Sequence, residues 1–296
     1  MAAAPDRLYV DGRNFDAASV RKTFDELGAV VFKGGLERGA VDGYAKALHR
    51  LALARLESLG VAPVRSDDLD ACGRQLFDLD PANLGDLFHI AREIREQYDL
   101  LFAPGMQRAI AALMPTAVVQ VVPESCGIRM DSPNQDERGF HWHYDYAYIA
   151  TSLDGVTGWA PLLPLSAEMG WLRVLPGSHK QVHPIDIHER PTVQGTFVGH
   201  HVFSLHDPDI AAFERDSVDV ADVQPGDLLV LHCCLLHRSG RNRGDRARWT
   251  ALCRFGNGLD AAIVKRGWRS VRDGGGARLF TELHPHLVHH VRATSD

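Results

Sequence analysis

Residues 140–148 read Phe-His-Trp-His-Tyr-Asp-Tyr-Ala-Tyr. Two histidines and an aspartate set among aromatics are not what an ordinary core needs. Either the segment is a strand with a costly polar face, or it is half of a metal site. In a strand, residues i and i+2 project to the same side. His143 and Asp145 would then meet one ion, with Trp142, Tyr144 and Tyr146 turned away. His141 shares the face of His143 and is a rival ligand.

A third ligand has to come from a distant segment. The best candidate lies in QPGDLLVLHCCLLHRSGRNRGDRARWT, residues 224–250. There an apolar strand ends in His237, at a rim where the core opens; His232, nearer the strand's middle, is the competitor. Two imidazoles and one carboxylate on one side of a metal leave positions open for a chelating co-substrate and dioxygen. That is the ligand set of non-haem Fe(II) oxygenases, whereas zinc more often takes three or four nitrogen or sulfur ligands. A dicarboxylate co-substrate such as 2-oxoglutarate needs a donor fork for its far end, which arginine supplies. Arg248 lies eleven residues after His237, and Ser239, two residues after it, adds a hydroxyl.

The elements that must position these groups follow from the patterning. Residues 16–28, 37–60 and 84–114 are helical in periodicity, with AVVFKGG (29–35) as a short strand among them. From AVVQVV (117–122) onward the texture is short apolar runs separated by turn residues, which points to a sandwich or barrel. GFHWHYDYAYIA, GVTGWAPLLPL, GWLRVLPGS, TFVGHHVFSL, DLLVLHCCLLHRS and RWTALCRFG are among those runs. The expected architecture is a helix-rich part (1–115) packed on an antiparallel β-core (about 116–258), with a C-terminal extension (259–296), all in one domain. The tail HPHLVHH (284–290) reads as a solvated or partly packed terminus.

Composition bounds the partners. The chain has 296 residues, 45% hydrophobic and 24% charged, with a net charge of −6. No basic excess marks a nucleic-acid footprint. No run of about 18 apolar residues suggests a membrane span. MAAAPDRLYVDGRNF lacks the apolar region of a secretory signal. The five cysteines are scattered without a CxxC pair, which suits reduced thiols in a cytoplasmic protein.

Three elements together resemble the phytanoyl-CoA dioxygenase family of Fe(II)/2-oxoglutarate oxygenases. WHYDYAY resembles its WHxDxxY motif, GWLRVLPGSHK (170–180) its G-x-L-x-V-x-PGSH element, and PGDLLVLHCCLLHRSGRNRGDRAR its GD…H-x-S-G-x-N…R element. The order and spacing also match, over roughly residues 115–255. FDELGAVVFKGGL resembles the family's first strand loosely. The resemblance implies a double-stranded β-helix (jelly-roll) core and metal ligands His143, Asp145 and His237. It implies Arg248 and Ser239 on the distal carboxylate of 2-oxoglutarate, and Trp159 beside the co-substrate. Arg129 in GIRMD is a candidate for a further co-substrate contact or for a substrate anion.

The implied activity is hydroxylation of an unactivated C–H of a small metabolite by Fe(II), 2-oxoglutarate and O2, releasing succinate and CO2. Desaturation or ring closure starts from the same hydrogen abstraction. Asp145 argues against a halogenase. A cupin-type metal site is weak, because Ala147 and Tyr148 stand where its glutamate would be; a non-catalytic metabolite-binding jelly-roll would have lost a ligand or the arginine. Arg129, Arg238, Arg241 and Tyr146 are read as rim residues favouring a small polar or anionic substrate. Arg246 is expected to be exposed, Cys233 and Cys234 to be core thiols, and His179 to be a turn residue.

Overall fold

The computed structural model describes residues 2–135, 141–189, 201–269, 271 and 275–291. Its largest sheet contains β2 (Tyr9–Asp11), β3 (Ala29–Lys33), β4 (Val119–Val121), β5 (Gly127–Asp131), β6 (Val156–Pro161), β11 (Leu228–His232) and β13 (Arg248–Asn257). Their order is β2-β3-β11-β6-β13-β4, with β5 also on β13. A second sheet runs β1 (Ala2–Ala3), β10 (Val218–Val220), β7 (Leu172–Val174), β12 (His237–Ser239). A third joins β14 (Val288–Val291), β8 (Ile185–Glu189) and β9 (His201–Leu205).

Strand alternation divides the core. Leu228 and Val230 of β11 and Val30 and Phe32 of β3 face the N-terminal helices in one apolar cluster. Leu229 and Leu231, with Ala29 and Val31, face the other way and meet Leu172, Val174, Val218 and Val220 of the second sheet. The first cluster is sealed by α1 (Ala17–Leu27), α2 (Arg38–Ser58), α3 (Leu69–Leu79), α4 (Pro81–Ala91), α5 (Arg95–Leu101) and α6 (Pro104–Leu113). Local signals set these helices. Asp16 caps α1 by accepting from the Ser19 N–H, and Gly28, at φ 79°, ends it in the left-handed region and turns straight into β3.

The structure adds to the sequence reading in two places and departs from it in one. The N-terminal part holds more than helix plus one strand, because β1 and β2 join the sheets as well. HPHLVHH is half-buried to exposed, as a partly packed terminus should be, and its last residues enter β14, parallel to β8 with Val288 opposite Ile185. The segment around His143 is not a strand. His143 makes a single antiparallel bridge with His237, and the chain then turns at Asp145 (φ −66°, ψ −32°) into the short helix α7 (Tyr146–Ile149). The front of TFVGHHVFSL lies outside the described residues.

Candidate metal centre

His143 and His237 exchange both backbone hydrogen bonds, at 3.0 and 2.9 Å. This pairing brings two distant segments together and sets the imidazole centroids 4.3 Å apart. Asp145 enters from the first turn of α7, where its carbonyl accepts from the Tyr148 and Ile149 N–H groups. One donor atom from each of His143, Asp145 and His237 lies within 4.8 Å of the others. They meet through a bridge followed by a turn rather than by alternation along a strand.

Hydrogen bonds prepare all three side chains. His143 Nδ1 lies 2.7 Å from the His141 carbonyl, and His237 Nδ1 lies 2.9 Å from the Leu235 carbonyl. A carbonyl can only accept, so each Nδ1 carries a proton, and Nε2 is the nitrogen turned over to a metal. Burial, and after it the neighbouring His237, holds the His143 pKa down to about 3, against the pull of Asp145. The Asp145 carboxylate receives the Thr157 hydroxyl on Oδ2 at 2.6 Å and Arg254 Nη2 on Oδ1 at 3.2 Å. Burial pushes this carboxyl up, but Arg254 and the two imidazoles outweigh it and hold it below the usual range. Neutral imidazoles and an ionised carboxylate are the forms a divalent metal binds.

β13 supplies the next layer. Arg248, Leu252 and Arg254 alternate with Trp249, Ala251, Cys253 and Phe255, all four of which face the helices. Arg248 is 1% exposed. Its Nε and Nη2 reach Asp131 Oδ2 at 3.2 and 2.8 Å, and its Nη1 donates to the Gly170 carbonyl. Gly170, at φ 70°, lies so close to the Arg241 backbone that an added Cβ would sit 2.5 Å from the Arg241 carbonyl oxygen. Arg129 holds the other oxygen of Asp131 through Nε at 2.6 Å and Nη2 at 2.5 Å. Trp159 lies in the apolar layer between the sheets, opposite Leu252 of β13. Ser239 is half-buried on the same side of β12 as His237.

Other sequence expectations are relocated. Arg238 points away from His237, to Glu214 at 2.9 Å and over the Trp142 ring, so it is not a rim cation of the site. Arg246 is only partly exposed and is paired with Asp68, the N-cap of α3, at 2.9 Å. Tyr146 is buried against Phe280, its hydroxyl 3.0 Å from His284 Nε2. The tyrosine beside the ligands is Tyr148, edge-on to His143 with centroids 5.9 Å apart. His141 is exposed and touches His143 through its carbonyl. Arg241 is exposed. His232 groups with Cys233 and Cys234 instead, its Nδ1 accepting from the Cys234 N–H at 3.2 Å. Both thiols are buried, Cys233 donating to the Ser152 carbonyl. His179 sits in the turn Ser178–Lys180, its Nε2 3.2 Å from the Asp25 carbonyl.

Thr157, Arg254 and Asp131 were not singled out from sequence. Their roles depend on which strands pair: β6 with β13 places Thr157 opposite Arg254, and β5 with β13 places Asp131 opposite Arg248. The i, i+2 relation of Thr157 to Trp159 and the i, i+6 relation of Arg254 to Arg248 were the available signals.

Two facing sheets carry a His-Asp-His cluster whose donor atoms could hold one metal ion. The family model described as Phytanoyl-CoA dioxygenase (PhyH) matches residues 24–250, and the chain belongs to that family. A curated relative, 1-deoxypentalenic acid 11-beta-hydroxylase of Streptomyces exfoliatus, is 32% identical over 100 residues. That match spans 33% of this chain and 32% of the relative. Among solved structures, the apo form of the non-heme monooxygenase ThoJ has a TM-score of 0.52 at 17% identity, covering 81% of this chain and 78% of that one. The epimerase SnoN, in complex with Fe3+, alpha ketoglutarate and nogalamycin RO, has a TM-score of 0.52 at 15% identity, covering 81% and 83%. At these identities the likeness is one of fold.

Proposed function

We propose that this protein is an Fe(II)- and 2-oxoglutarate-dependent oxygenase that hydroxylates an unactivated C–H of a small polar or anionic molecule, on a jelly-roll core forming one domain. The observation that carries this reading is the convergence of His143, Asp145 and His237 within 4.8 Å, with both Nδ1 atoms committed to carbonyls. The donor set fits the metal: two imidazole nitrogens and one carboxylate, the facial arrangement suited to non-haem iron. When bound, iron with 2-oxoglutarate and dioxygen supplies the power to remove hydrogen from an unactivated C–H, with succinate and carbon dioxide as by-products.

The remaining work belongs to the chain. The His141 and Leu235 carbonyls fix the imidazole tautomers, while Thr157 and Arg254 keep Asp145 ionised. Arg248 and Ser239 are assigned to the distal carboxylate of 2-oxoglutarate, and Trp159 to a place beside the co-substrate. Tyr148, whose hydroxyl is pushed up to about 12 first by burial and then by Asp145, lines the site as a neutral wall. The two arginines around Asp131 leave an excess positive charge there, which suits the distal carboxylate of 2-oxoglutarate.

The test is succinate release from 2-oxoglutarate in the Fe(II)-loaded protein with a panel of small organic acids and neutral analogues. The expected result is stimulation by one chemical class above the uncoupled background, absent in Asp145→Ala. A well-folded protein that binds these acids and forms no succinate with any of them would favour a binding protein instead.

A further inference from the structure

We propose that Asp131 is a positioning residue for the co-substrate anchor, holding the Arg248 guanidinium by its side-on edge, and that Arg129 acts through Asp131 rather than on the co-substrate itself. This rests on the assignment of Arg248 above. Arg248 and Asp131 are directly opposed in the β5–β13 register, and Thr250 opposes Arg129, so the sheet itself sets the array. One oxygen of Asp131 accepts Nε and Nη2 of Arg248; the other accepts Nε and Nη2 of Arg129. A guanidinium has five N–H groups in a rigid plane. Asp131 uses the side-on pair and Gly170 one N–H of Nη1. N–H groups on Nη1 and Nη2 remain to meet a second carboxylate.

Charge supports the same division. Two guanidinium groups and one carboxylate leave a net +1 in a largely buried place. The carboxylate of a bound dianion neutralises it, whereas loss of Asp131 sets two buried cations against each other. Burial raises the Asp131 carboxyl, but Arg129 and then Arg248 bring it down to about 2, so it is ionised at neutral pH. Asp131 therefore acts as a fixed strut with a permanent charge. An arginine braced in this way loses less freedom when it receives its ligand.

The experiment is anaerobic calorimetry on the Fe(II)-loaded full-length protein with two probes. 2-Oxoglutarate uses the distal anchor; oxalate chelates the metal but has no distal carboxylate. In Asp131→Asn the dissociation constant for 2-oxoglutarate is expected to rise about tenfold or more, with oxalate changed by no more than about twofold. Arg129→Ala is expected to weaken 2-oxoglutarate similarly in the wild-type background and to add little in the Asp131→Asn background, as coupled residues do. Asp131→Glu keeps the charge but moves the carboxylate, and serves if the amide variant does not fold; it too should weaken 2-oxoglutarate and spare oxalate.

Unchanged or tighter 2-oxoglutarate binding in the folded variants would overturn the proposal and make Asp131 a competitor of the co-substrate. Parallel loss of oxalate would also overturn it, showing general loosening. Fully additive Arg129 and Asp131 effects would overturn the indirect role of Arg129. Arg248→Ala is measured alongside: wild-type 2-oxoglutarate affinity there would remove the co-substrate assignment itself, and the proposal with it.

Discussion

The two faces of β13 obey different rules on one strand. The helix side carries Trp249, Ala251, Cys253 and Phe255, each buried in a continuous apolar cluster. The side turned toward the second sheet carries Arg248 and Arg254, each tied to a carboxylate, Asp131 or Asp145. The first face stabilises through area removed from water. The second contains paired charges whose desolvation offsets much of their attraction, so their presence is poorly explained by stability alone. The difference separates what holds the fold from what shapes the site, and each side can be broken independently.

Trp249 gives the largest expected loss. Trp249→Ala should cost about 3–5 kcal/mol of unfolding free energy, with Fe(II) affinity of the remaining folded protein unchanged. Chemical denaturation combined with metal titration checks both, and a concurrent loss of metal affinity would blur the two faces.

Acid stability is next. Burial, and then His179, lowers the His232 pKa from 6.5 to about 4. The unfolded chain then takes up a proton that the folded chain refuses. Stability is intact above pH 6.5 and falls as pH drops from there toward 4, by on the order of 3 kcal/mol at most. His232→Asn should make the fall of urea-unfolding midpoints over that window shallower, with the part owed to His143 remaining, while leaving metal binding alone.

Thr157→Val removes one donor to Asp145 without changing shape. It should weaken Fe(II) by about tenfold or more, with a stability change near 1 kcal/mol. The smallest expected effect is that of Glu214→Gln. Glu214 receives the indole of Trp142 and the guanidinium of Arg238, the neighbours of the two histidine ligands. Its loss should lower metal affinity by about twofold to fivefold, in line with partly exposed ion pairs of about 1 kcal/mol or less.

The sequence carried much of this because periodicity and spacing are local. The helices before residue 115, the alternation of β13 and the pairing of His143 with Asp145 two residues apart were all readable. What was hidden depends on contacts across the chain. The donor from β6 to Asp145 and the carboxylate 117 residues before Arg248 exist only once the strands are in register. The turn at Asp145 was misread as a strand because aromatic-rich alternation favours strands. There the tertiary hydrogen bond from the Tyr146 N–H to the Cys233 carbonyl prevails. Arg238 was placed at the rim for its nearness in sequence to His237, although the period of two puts adjacent residues on opposite faces.

The most direct measurement is anaerobic Fe(II) titration of the wild-type protein beside His143→Ala, Asp145→Ala and His237→Ala, with folding checked by circular dichroism. One equivalent bound by the wild type, and affinity lost by about a hundredfold or more in each folded variant, is the result this account predicts. Equal binding in any of the three, or no binding in the folded wild type, would contradict the His-Asp-His centre.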